Sequence, residues 1–170
     1  MKRMQQIITL LLVIFIVLVA VTEGRPDETP DITPSAQERE PPEVTDEGLA
    51  YLETMLAETD EITKQYHEVG TLLGTPKYDD AVWIDKITTA LVKLNSHAKA
   101  LQSLEPPGRF QRAHAEFVAT GVRKLIEATD LMPGAIDTRN GSQITQATDY
   151  MMDYTIAFAD YTDALGDKGE

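Results

Sequence analysis

Three histidines, His67, His97 and His114, are the side chains best suited to hold a metal or move a proton, and their neighbours decide whether they can. A carboxylate-bridged di-iron site in a helical bundle places glutamate three residues before histidine. Lys64, Leu94 and Gln111 stand there instead. His67-Glu68 and His114-x-Glu116 put candidate ligands one or two residues apart, where a helix points them to different faces, so neither pattern builds a zinc site. Haem held by His114 with Met151 or Met55 has suitable residue types, but no spacing supports it. Cysteine is absent, which excludes thiolate zinc, thiolate nucleophiles, disulfides, covalently attached haem and a lipid-modified N-terminal Cys. Serine and aspartate are plentiful, yet nothing resembles a nucleophile elbow or a phosphate-cradling glycine loop. The sequence thus predicts no catalytic residue, no cofactor-binding residue and no metal ligand; it reads as a protein that is not an enzyme.

His114 still stands out, because it falls on an apolar stripe between Phe110 and Phe117. A buried imidazole needs hydrogen-bond partners. The expectation is a histidine at the core edge, bonded to a backbone carbonyl or to a tyrosine hydroxyl such as Tyr154 or Tyr161. The alternative is a small interhelical pocket for a ligand or cofactor near His114, where Gly121 and Ala128 would leave room. Asp149, Asp153, Asp160, Asp163 and Asp167 form an acidic stripe, expected to be a solvated face. Tyr154, Phe158 and Tyr161 read as core rather than as a stacking platform. Asn140-Gly141-Ser142 matches a glycosylation acceptor, and its composition is equally that of a turn.

Four apolar stripes at helical period must position these residues. The first opens at Thr45, with Asp46 and Glu47 in its first turn, and carries Leu49, Leu52, Leu56, Ile62, Tyr66, Val69 and Leu73. Gly74-Thr75-Pro76 ends it. The second opens at Asp79 or Asp80 and alternates steps of three and four through Ile84, Ile87, Leu91, Leu94, Ala98 and Leu101. Leu104-Glu105-Pro106-Pro107-Gly108 stops it, since the residue before proline is pushed out of helical geometry. Phe110, His114, Phe117, Gly121, Leu125, Ala128 and Met132 make the third stripe, which Pro133-Gly134 is expected to break, with irregular geometry from Met132 to Gly141. Ser142 is expected to cap a fourth helix with the seam Ile144, Ala147, Met151, Tyr154, Phe158, Tyr161 and Leu165, closed by Gly166.

Ahead of these stripes, Lys2 and Arg3 precede an apolar run from Ile7 to Val21. Its length lies between a secretory signal and a spanning helix. The cations keep the N-terminus in the cytoplasm, so both readings send the domain across the membrane. Residues 1–22 are therefore a signal-anchor or signal peptide, with the membrane engaged through residues 4–22. Residues 23–44 hold five prolines and many carboxylates with almost no large apolar side chain, and read as an acidic disordered linker. Residues 45–170 form the domain. The net charge of −13, with no cluster of lysine or arginine in the domain, makes nucleic acid a poor partner.

Leu101, Leu104, Pro106, Pro107, Phe110, His114 and Phe117 resemble a Leu-x-x-Leu-x-Pro-Pro helix junction in uncharacterised exported bacterial helical-bundle proteins. That resemblance implies a secreted or anchored bundle with no assigned activity. The sequence as a whole predicts an all-α fold: an up-down-up-down antiparallel four-helix bundle after an N-terminal membrane segment and disordered linker. It is read as an extracytoplasmic interaction or structural module of the cell membrane that meets an envelope protein. Secretion after signal-peptide cleavage is the alternative location.

Overall fold

A computed structural model describes residues 45–166. The chain divides at Pro41 and Pro42 into two units, and the described residues all fall in the second. The expected membrane segment, the acidic linker and Asp167 lie outside them.

Among the described residues the fold is all-helical, with four rods and no strand. The first rod is α1 (Asp46–Gly74), whose N-cap Thr45 accepts a hydrogen bond from Gly48 N–H at 3.2 Å. The second, α2 (Ala81–Gln102), is capped by Asp80, which accepts from the N–H groups of Val82 and Trp83. A 3-10 turn (Gly108–Phe110) leads into the third rod, made of α3 (Gln111–Phe117), a π-turn (Val118–Val122) and α4 (Arg123–Asp137). The fourth is α5 (Gly141–Gly166).

Side-chain and backbone contacts join each rod to the next. Trp83 Nε1–H donates to the Leu72 carbonyl beside the α1–α2 junction, while Glu58 meets His97 farther along the same pair. Asn95 on α2 donates to Thr129 and Asp130 on α4. On the last pair, Gly121 faces Ala157 and Phe117 stacks on Tyr161. One apolar core joins all four rods.

The second, third and fourth seams lie where the sequence places them. The first is shifted at its start. Leu49 and Leu56 are 49% and 61% exposed, whereas Tyr51, Met55 and Thr59 are buried. Stepping back from Val69 and Ile62 by alternating threes and fours reaches Thr59 and Met55, so the phase set downstream turns two leucines outward. A buried threonine makes that tolerable, because Thr59 Oγ1–H donates to the Met55 carbonyl at 2.7 Å.

Pro133 does not break the third rod; helix continues through it to Asp137. Met132, Ala135 and Ile136 on either side are buried, and their packing holds the turn despite the missing N–H. Irregular geometry begins only at Thr138. There Arg139 adopts the left-handed region at φ 52°, while Asn140 N–H reaches the Ala135 carbonyl and Arg139 N–H that of Ile136, a Schellman closure without glycine. Asn140, not Ser142, then caps α5: its side chain accepts from Gln143 N–H at 3.2 Å. The glycosylation-like triplet is thus spent on capping.

The irregularity in the third rod lies instead at the π-turn, where Arg123 N–H donates to the Val118 carbonyl five residues back. Gly121 and Leu125 are two consecutive steps of four along the stripe, one residue more than a regular alternation allows. The wider turn absorbs that residue, and both stay buried. Gly121 is needed for a second reason: a Cβ there would sit 2.7 Å from Ala157 Cβ. The room expected beside Gly121 is occupied by α5. Gly121→Ala is expected to cost about 1–3 kcal/mol by overpacking, and Ala157→Gly in the same chain should recover part of it, as measured by urea unfolding.

Candidate functional site: a buried His–Tyr–Tyr chain beneath a cleft

His114 is 4% exposed, and its Nδ1 lies 2.9 Å from the Tyr51 hydroxyl. That hydroxyl lies 2.7 Å from the hydroxyl of Tyr161, so one polar chain links α3, α1 and α5. The partner of His114 is a tyrosine hydroxyl, but that of Tyr51 and neither of the two expected, Tyr161 lying one bond beyond. Tyr154 packs its ring on Phe117 instead. Aromatic packing fixes the chain: Tyr51 stacks on Phe110 at 5.2 Å, meets the imidazole edge-on, and Tyr161 stacks on Phe117 at 5.0 Å.

Burial costs the charged form of each group and acts in the expected directions. Desolvation lowers the His114 pKa below its ordinary value, and raises those of Tyr51 and Tyr161. Tyr51 is raised further by its bond to Tyr161. Neutral imidazole has one N–H and one lone pair, and Nδ1 is committed to Tyr51. The other ring nitrogen, Nε2, is buried with no partner.

A histidine held neutral by the fold binds fewer protons folded than unfolded. Its stabilising effect is therefore complete above the unfolded value of about 6.5 and is lost as pH falls below it toward the lowered folded value. The midpoint of thermal unfolding should fall between pH 7 and pH 5 more steeply in the native chain than in His114→Gln. The difference between the two chains isolates His114.

Two surface features flank this chain. One is an open cleft of about 690 Å³ where Glu47, Leu104, Glu105, Pro106 and Pro107 meet His114. The other is a groove between α3 and α5, with the buried Phe117 and Ala157 on its floor and Ala113, Ile156, Glu116, Asp153 and Asp160 around them. Asp149, Asp153, Asp160 and Asp163 are all exposed, as the acidic stripe predicts. Among the described residues no three His, Asp or Glu side chains gather where they could hold a metal ion.

Sequence reasoning missed Tyr51, because the stripe was drawn through Leu49 and Leu52. The signal was present: Tyr51, Met55 and Ile62 share one face once Thr59 is admitted to it. No protein-family model matches the chain, and no curated protein or solved structure matches it either.

Proposed function

We propose that this chain is a membrane-anchored helical module that works by binding, with its domain outside the cytoplasm. Residues 4–22 are the anchor, residues 23–44 the extended tether, and residues 45–170 an up-down-up-down bundle. The single observation that carries the binding role is the filled interior. The seams of all four rods pack on one another and Ala157 fills the space at Gly121, so recognition falls to the surface. The α3–α5 groove is the surface that fits the role, its apolar floor and carboxylate rim suiting a basic amphipathic segment of an envelope protein. A small-ligand or cofactor carrier is the second reading, favoured by the cleft over His114 rather than by space between the helices.

Proximity labelling from the domain in living cells tests the module. Labelled extracytoplasmic partners, lost when Asp153 and Asp160 are changed to lysine, support it; a chain found free in the cytosol sinks it. The anchor has its own test. Ile14→Arg near the middle of the apolar run should cost about 3 kcal/mol of insertion and move most of the chain out of the membrane fraction. A mature N-terminus beginning after residue 22, read by mass spectrometry, would replace the anchor with a cleaved signal.

A further inference from the structure

The cleft and the unpartnered imidazole nitrogen belong together. His114 is among the residues that line the cleft, its Nδ1 is taken by Tyr51, and its Nε2 is buried without a partner. A buried polar atom without a partner carries a desolvation penalty that a bound group can remove. The walls determine which group. Glu47 and Glu105 bring two exposed carboxylates, while Leu104, Pro106 and Pro107 offer an apolar flank.

We propose that this cleft binds a small organic ammonium compound, whose N–H donates to His114 Nε2, whose charge lies against Glu47 and Glu105, and whose hydrocarbon packs on Leu104 and the two prolines. The polar chain can present either a donor or an acceptor at Nε2. If Nδ1–H donates to Tyr51 and Tyr51 donates to Tyr161, Nε2 is an acceptor; the reverse order makes Nε2–H a donor. Charge selects between them, because an anionic ligand that would take Nε2–H is repelled by both glutamates, whereas a cation is attracted. Nε2 is closed off from solvent, so the ligand reaches it by shifting exposed lining side chains, Glu47, Glu105 and Gln111. The cleft is built from α1, α3 and the α2–α3 connection, with Tyr161 of α5 behind it through Tyr51.

The test is a titration of the full chain in micelles with n-butylammonium, n-butanol and butyrate, read by the ring-nitrogen NMR resonances of His114. The expected result is a saturable shift of Nε2 with butylammonium alone. Glu47→Gln with Glu105→Gln, both at exposed positions, should weaken it at least about tenfold, or about 1.4 kcal/mol, with the near-ultraviolet circular dichroism unchanged. No saturable shift in the native chain, an equal response to butanol, or full binding by the double glutamine variant would each overturn the proposal. The native-chain titration decides the matter even if the variant folds poorly.

Discussion

Phe117→Ala is expected to cost about 3–5 kcal/mol of folding stability, a large share of the roughly 5–15 kcal/mol that holds a domain of this size together. Phe117 is 2% exposed and packs on Tyr161, Tyr154 and Phe158 at centroid separations of 5.0, 5.6 and 5.8 Å. Three rings from α5 thus converge on one from α3, and no small shift lets them close on a methyl group. Urea unfolding should show a lower midpoint at unchanged slope. Leu56→Ala, at an exposed apolar position on α1, should stay within about 0.5 kcal/mol and serves as the control. A loss below about 1 kcal/mol at Phe117 would mean that the site collapses freely. Since Phe117 also floors the α3–α5 groove, its loss should weaken capture of a basic partner there even under conditions where the variant remains folded.

The order of helices was legible because apolar period and breakers agree: Gly74-Thr75-Pro76 and Leu104 to Gly108 both lie where helices stop. Three details were not. Leu49 and Leu56 outweigh Thr59 in hydrophobicity, yet the phase of α1 is set by its whole length, and a threonine can satisfy its hydroxyl within its own helix. Pro133 has a strong local preference against helix, but Met132, Ala135 and Ile136 bury apolar surface only if the helix continues. The π-turn was visible as two successive steps of four, Phe117 to Gly121 to Leu125, though spacing alone does not say whether a stripe drifts or the backbone widens. The candidate site was half legible for the same reason. His114 on a stripe announces a buried imidazole, but its partner comes from the misphased start of α1.

Tyr51→Phe is the sharper probe of that site, since it removes one oxygen and keeps the ring that stacks on Phe110. The lost hydroxyl serves both His114 Nδ1 and Tyr161, so two buried polar groups lose their shared partner at once. Each stranded group costs about 1–3 kcal/mol, and the imidazole then has neither nitrogen satisfied in the free protein. If the hydroxyl chain is the source of the loss, Tyr51→Phe should cost far less in a chain that already carries His114→Leu and Tyr161→Phe, where no polar atom is left behind. Equal costs in both backgrounds would assign the effect to ring packing alone. The cycle also bears on the cleft: with Tyr51 gone, Nδ1 no longer fixes the ring, and the Nε2 response to butylammonium should weaken although Glu47 and Glu105 are untouched. Orientation of the imidazole from the core side and recognition at the cleft are in this way one continuous arrangement, running from Tyr161 through Tyr51 to the free edge of His114.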